Sequence, residues 1–95
     1  MALLDEVKVR LRISAANTAF DTDIADLINE AKADLRRVGV LDNHIADTDP
    51  AIARAIKLYC RAYFDLNSPD LDRWRMAYES QRDSLSLDGE YNVVI

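Results

Sequence analysis

Few side chains in this 95-residue chain have the chemistry that catalysis uses. Cys60 is the only cysteine and His44 the only histidine, and a nucleophilic dyad requires thiol and imidazole to be adjacent in space. Cys60 lies on an apolar part of a predicted helix, between Tyr59 and Arg61, which is typical of a buried structural cysteine. The sequence therefore predicts no catalytic residue and no enzymatic activity.

The loop around His44 is rich in possible oxygen ligands. Residues 42–49 read Asp-Asn-His-Ile-Ala-Asp-Thr-Asp, but they lack the Gly and the closing Glu of a calcium loop. The sequence has no zinc-spaced Cys/His set and no Gly-rich phosphate loop. Helix capping and solvation explain these carboxylates better. We therefore expect no metal ion and no cofactor.

Three cations, Arg54, Lys57 and Arg61, recur at helical spacing on the third predicted helix. Intervals of three and four residues place them on one stripe. One interpretation is a solvated face on which Asp65 pairs with Arg61, since most charged stripes are hydrated. The other is a subunit interface that forms ion pairs with an acidic neighbouring subunit. The sequence leaves both open.

Four helices must position these side chains, and hydrophobic periodicity predicts them at residues 3–13, 21–38, 50–66 and 69–87. Gly39 is a normal stop after the second helix. Asp49 and Ser68 are the expected N-caps, each followed by Pro at the first helical position. The third helix is apolar on most sides, so we expect it to be central. The predicted fold class is all-α, a small bundle of four helices around the third, with an extended C-terminal arm.

The apolar positions define the expected inner face of each outer helix. The first helix contributes Leu3, Leu4, Val7 and Leu11. The second contributes Phe20, Ile24, Leu27, Ile28, Ala31, Leu35 and Val38, and the fourth contributes Leu71, Trp74, Tyr78 and Leu85. Lys8, Arg10 and Arg12 lie off the first stripe and Val9 on its far side. Met76 falls on the polar side of the fourth helix, which makes it a candidate interface residue.

The segment after Gly89 has a different character. Its residues Tyr91, Asn92, Val93, Val94 and Ile95 favour extended backbone, and no second strand is visible for them to pair with. The segment is either a disordered terminus or an arm that docks on another chain by strand addition. We predict a helical domain over residues 1–88 and an extended arm over 89–95, with the arm and Met76 as partner-binding residues.

Bulk composition narrows the class of protein. A hydrophobic fraction of 49% and 31% charged residues indicate one globular domain. The net charge of −5 argues against a broad phosphate-gripping face, which needs clustered Lys and Arg. With one cysteine no intrachain disulfide forms, which fits a reducing compartment. We expect no signal peptide, no membrane-spanning helix and an intracellular origin.

Several segments together resemble one known family. They are the opening Leu4–Ile13, the Asp-rich approach to the second helix, Asp49–Ile52 with Tyr59–Phe64, and the closing Tyr78–Gln81 with Ser84–Tyr91. These segments are similar to the head–tail connector (adaptor, or head-completion) proteins of tailed bacteriophages and prophages. The resemblance covers nearly the whole chain, and the closing segment is its most specific part.

The resemblance implies a small helical subunit of the virion, made in the host bacterial cytoplasm. It implies a homo-oligomeric ring that docks beneath the portal protein after DNA packaging, extends the DNA channel and receives the next head–tail (stopper) protein. DNA would pass without sequence-specific binding, and no membrane is involved. Arms and helix faces make the contacts in such rings. The alternative is a small helical regulatory or DNA-binding module of a prophage, which would need exposed basic side chains on a recognition helix.

Overall fold

The protein is an all-α bundle. The computed structural model describes residues 3–14, 16–40, 45, 49–64, 67 and 69–87. These residues form α1 (Leu3–Arg10), α2 (Asp21–Arg37), α3 (Pro50–Phe64) and α4 (Leu71–Leu87). No β-strand occurs within these ranges. The predicted all-α class with four helices is therefore confirmed for this part of the chain, whereas the predicted extended arm lies outside it. None of the described helices combines the length and the apolar character that crossing a bilayer requires.

Capping chemistry sets two of the helix ends as the sequence predicts. The Asp49 carboxylate accepts the backbone N–H of Ala51 at 2.9 Å and of Ile52 at 3.4 Å, so it caps α3. After α2, Gly39 has a φ of +103°. Its N–H donates to the carbonyl of Arg36, and the next N–H, at Val40, donates to the Leu35 carbonyl, both at 3.0 Å. This hydrogen-bond pattern closes a helix through a left-handed residue.

Two predicted helix boundaries are wrong. The first helix ends at Arg10 and not at residue 13, because the chain reverses through a left-handed turn at Arg12. The fourth helix begins at Leu71 and not at Pro69, because residues 69 and 70 form a turn. The carbonyl of Asp70 accepts the N–H of Trp74 at 3.1 Å, so Asp70 precedes the first helical residue.

One core joins the helices, and α3 occupies its centre, as predicted. Helix α3 packs against each of α1, α2 and α4. Its fully buried side chains are Ile52, Ala55, Ile56, Cys60 and Ala62. The other helices contribute Leu3, Val7, Ile24, Ile28, Ala31, Leu35, Tyr78 and Leu85. Apolar burial is the dominant stabilising contribution to folding. The packing against α3 therefore fixes the positions of the other three described helices.

Lys8 and Phe20 depart from their predicted faces. Lys8 is predicted off the apolar stripe, but only 2% of it is exposed. Its Nζ donates to the Asp21 carboxylate at 2.8 Å and to the Asn17 carbonyl at 2.7 Å, and these bonds compensate the buried charge. Phe20 is predicted on the inner face of α2, but 41% of it is exposed. Its ring packs edge-to-face on Phe64, with centroids 5.5 Å apart.

Some predictions concern residues outside the described part of the chain. They are the arm at Tyr91–Ile95, the domain boundary near Gly89, His44 with most of the 42–49 loop, the Asp65 partner of Arg61, the Ser68 cap and the end of the third helix beyond Phe64. All of them stay predictions.

Candidate interaction site

A polar cluster between α2 and α4 is structural in character. The Asp34 carboxylate accepts the Tyr78 hydroxyl at 2.6 Å, Arg82 at 3.4 Å and a short bond from Arg37. Burial raises the pKa of Asp34, but these hydrogen bonds and the charge of Arg37 outweigh it, so the pKa lies below its usual value. Burial, with the bond to Asp34, raises the pKa of Tyr78. The cluster holds α4 against α2.

Cys60 is a buried structural residue, as predicted. None of its side chain is exposed, and burial, with the nearby charge of Glu30, raises its pKa to about 12. A protonated, inaccessible thiol is not a nucleophile. Within the described ranges no group of three His, Cys, Asp or Glu side chains is placed to hold a metal ion. Most of the 42–49 loop lies outside those ranges, so the metal prediction for it is untested.

A cleft lies along the outer face of α3, between the end of α1 and the start of α4. We name it the basic cleft, and its volume is about 320 Å³. Its lining residues are Val9, Arg10, Arg12, Arg54, Lys57, Leu58, Arg61 and Trp74. Five of these eight are cations, drawn from only 12 Lys and Arg in a chain of net charge −5. Positive charge is therefore concentrated here, against the acidic balance of the whole molecule.

The structure separates the three predicted stripe residues by their partners. Lys57 forms a salt bridge of 2.8 Å with Glu6 of α1. Arg61 donates to the carbonyl of Arg10, and its guanidinium lies 4.9 Å from the ring centroid of Trp74. Arg54 is exposed. Thus Lys57 is largely neutralised within the chain and Arg61 is held in place, whereas Arg54 presents its charge to the surroundings.

Within the described part of the chain, the basic cleft retains charge that no carboxylate neutralises. Among the described residues, no carboxylate forms a salt bridge with Arg10, Arg12, Arg54 or Arg61. An exposed pair contributes little to stability, so unpaired arginines cost the fold little. Their charges leave the cleft electropositive, and an electropositive surface attracts acidic groups.

Arg12 reaches the cleft through an unfavourable backbone conformation. Its φ is 60°. Its N–H donates to the Val9 carbonyl at 3.1 Å, and the Ile13 N–H donates to the Lys8 carbonyl at 2.9 Å, which is the closing pattern seen at Gly39. The left-handed region costs a residue other than Gly about 1–2 kcal/mol. Strain of this kind concentrates at functional sites.

Sequence reasoning found only part of this site. The site also includes Val9, Arg10 and Arg12. The sequence predicts only that these residues lie outside the apolar stripe of the first helix. The segment Val9–Arg12 could have indicated this, because two exposed arginines lie close together there at the end of a helix. Trp74 was predicted in the core, but it is half-buried and lines the cleft, whereas Tyr78 is 1% exposed as predicted.

Met76 lies apart from the basic cleft. It is 68% exposed on α4, which confirms the predicted outward position, and it is not among the residues that line the cleft. Its role as a partner contact stays a prediction. Met76 and the basic cleft are therefore separate candidate surfaces.

Residues 3–92 match the model of a protein family that is described as "Phage connector protein". The match includes all four helices and every residue that lines the basic cleft. No match was found among curated proteins or among solved structures.

Proposed function

The chain belongs to the phage connector protein family, and we propose that it is a structural subunit of the junction between a phage head and its tail. It forms a homo-oligomeric ring beneath the portal protein after DNA packaging. The ring extends the DNA channel and receives the downstream stopper protein. The subunit acts without catalysis, at the head–tail interface of the virion, after synthesis in the host bacterial cytoplasm.

The observation that carries this proposal is the extent of the family match. It spans residues 3–92, which includes all the described helices and residues 89–92 of the predicted arm. Cys60 is unreactive, and Asp34 and Tyr78 form a hydrogen bond with each other inside the bundle. These residues therefore have structural roles, which supports a protein that acts through its surfaces. Connector proteins act by joining larger assemblies, so their function resides in surfaces and not in a reacting group.

The proposed contacts use three surfaces. The arm Tyr91–Ile95 and Met76 bind the portal or stopper protein, and the Arg54, Lys57 and Arg61 stripe faces a neighbouring subunit. A short arm alone binds weakly, because ordering each residue costs about 1–2 kcal/mol. Repetition of the arm around a ring makes the grip multivalent. The net charge of −5 repels phosphate, so DNA passes the ring without sequence-specific binding.

Deletion of residues 90–95 tests the arm. We expect the truncated protein to keep the circular dichroism of the intact chain and to lose binding in a pull-down with the portal protein of the same phage genome. A matched control replaces residues 90–95 with Gly and Ser at the same length. It separates the effect of removing the side chains from the effect of shortening the chain. Unimpaired portal binding by both variants would contradict the proposed role of the arm.

Met76→Glu tests the second predicted contact. Because Met76 is exposed, the substitution is expected to change stability by less than about 0.5 kcal/mol and to weaken portal binding. Ser84→Glu places the same charge on an exposed position of the same helix, about two turns away from Met76, and serves as the control. Equal binding by the two variants would remove Met76 from the interface.

The basic cleft is the one described feature that favours a DNA-binding module instead. Such a module needs a recognition helix whose cations are available to phosphates and bases. On α3, however, Lys57 and Arg61 have partners within the chain, which leaves Arg54. A gel shift with duplex DNA at low salt decides between the two functions. Tight binding that weakens steeply with salt would favour the DNA-binding module.

A further inference from the structure

A second cleft, of opposite charge, lies between the start of α2 and the end of α3. We name it the acidic cleft, and its volume is about 540 Å³. Its lining residues are Phe20, Asp23, Asp26, Leu27, Glu30, Tyr63 and Phe64. It shares no residue with the basic cleft. One subunit therefore carries two distinct concave surfaces whose charges are complementary.

The carboxylates of the acidic cleft are unpaired within the described residues. Asp23, Asp26 and Glu30 are exposed, and none of them forms a salt bridge with a described cation. Asp26 and Glu30 are four residues apart, and like charges at that spacing destabilise a helix. A cationic surface placed against them converts this repulsion into attraction.

Each cleft also presents an apolar side chain that the fold leaves exposed. Phe20 is 41% exposed beside Phe64 in the acidic cleft, and Val9 is 68% exposed in the basic cleft, which Trp74 also lines. Aromatic residues and arginines are enriched in protein interfaces, and charged rims surround apolar centres. Both clefts have this composition, with opposite signs of charge.

We propose that the acidic cleft of one copy docks into the basic cleft of the next copy. The contact rests on the proposed ring and specifies its seam: Asp26 and Glu30 face the arginines, with Arg54 foremost among them. The occupant of each cleft is thus a second copy of this chain. Its recognition chemistry is the pairing of carboxylates with guanidinium groups, around a small apolar centre, where neither has a salt-bridge partner among the described residues.

The placement of the clefts favours a head-to-tail contact. Tyr63 projects about 180° around α3 from Arg54, since nine residues advance roughly two and a half helical turns. In a two-fold dimer, both clefts of one copy would contact the same second copy, so both would have to lie on the same side of the molecule. A contact between two different faces is heterologous, and repeated copies then close into a ring when the rotation allows it.

Cysteine crosslinking tests the seam directly. One variant carries Val9→Cys, a second carries Phe20→Cys, and a short bismaleimide joins thiols that come close. We expect a crosslinked dimer from the mixture and none from Val9→Cys alone, because the contact joins unlike faces. Met76→Cys replaces Val9→Cys in the control mixture, since Met76 and Val9 have the same exposed fraction of 68%.

Charge reversal in the same background tests the chemistry. We expect Arg54→Glu or Asp26→Arg each to lower the crosslinked yield about tenfold, because like charges then face each other. A chain that carries both reversals restores opposite charges across every contact, so we expect its yield to recover. Arg36→Glu and Asp72→Arg reverse exposed charges outside both clefts and are expected to leave the yield unchanged.

Different outcomes separate the seam from the ring. Equal yields for the Val9 and Met76 mixtures, crosslinking of Val9→Cys alone, or indifference to both reversals would overturn the seam. If such variants still assemble on the portal, the proposed function stands without this seam. If the chain fails to assemble on the portal, the proposed function fails, and crosslinking of the free chain alone decides the seam. Duplex DNA binding that Arg54→Glu abolishes, with crosslinking unchanged, would assign the basic cleft to nucleic acid.

Discussion

The left-handed turn at Arg12 yields a sharp prediction about stability. Arg12→Gly removes the Cβ that makes a φ of 60° unfavourable, and the hydrogen bonds of the turn use only backbone atoms. The substitution also removes a cation from the end of α1, where positive charge interacts favourably with the helix dipole. Arg12→Ala removes the same charge but keeps the strain, so it is the proper reference for Arg12→Gly.

The size of the effect follows from two opposing contributions. The left-handed backbone costs a residue with a Cβ about 1–2 kcal/mol. The greater freedom of glycine in the unfolded chain offsets about 0.4–1 kcal/mol of that gain. Arg12→Gly is therefore expected to be about 0.5–1 kcal/mol more stable than Arg12→Ala. For a domain of this size, 1 kcal/mol corresponds to a Tm change of about 4–8 °C.

Gly39 provides the reverse experiment. It occupies the equivalent position after α2 with a φ of +103°, and a Cβ added there would meet nothing within 4 Å. The cost of Gly39→Ala is therefore a backbone cost, and we expect a loss of about 0.5–1 kcal/mol. Urea unfolding followed by far-UV circular dichroism measures both free energies. The reasoning is refuted if Arg12→Gly is no more stable than Arg12→Ala while Gly39→Ala is destabilised.

Three further expectations follow from the described contacts. Tyr78→Phe removes a hydrogen bond to the Asp34 carboxylate and is expected to cost about 1.5–3 kcal/mol in urea unfolding; an unchanged midpoint would contradict it. The pKa of Asp34 lies below its ordinary value of 3.8 in the folded chain, so its stabilisation is complete above that value and is lost as pH falls through the lower folded-state pKa. Thermal melts at decreasing pH are expected to show this loss, and Asp34→Asn is expected to flatten it. Because Cys60 is buried with a pKa of about 12, a thiol reagent at neutral pH is expected to label it only after unfolding, and rapid labelling of the native protein would show that the core opens.

Much of the fold was predictable because local chemistry determines it. The Asp49–Pro50 pair and Gly39 set helix ends through bonds within a few residues. The nearly continuous apolar circumference of α3 indicated its central position before any contact was known. At these ends sequence and structure agree, whereas the same kind of proline signal at Pro69 predicted the start of α4 two residues too early.

The misses arise where distant segments or unusual residue types decide the result. The burial of Lys8 depends on Asp21, thirteen residues away, so its position on a helix cannot reveal it. Arg12 occupies a turn that glycine usually fills, and an arginine there gives no stop signal. The basic cleft joins Arg10 to Arg61, which are 51 residues apart. Sites of this kind form when helices that are distant in the sequence pack together, so the spacing of residues within one helix does not predict them.

Electron microscopy of the protein mixed with the portal protein of the same phage genome tests the central claim most directly. The account expects a closed ring of subunits, coaxial with the portal and stacked on one of its ends, that extends the central channel. Portal particles without added density, at protein concentrations well above those of the portal, would contradict it.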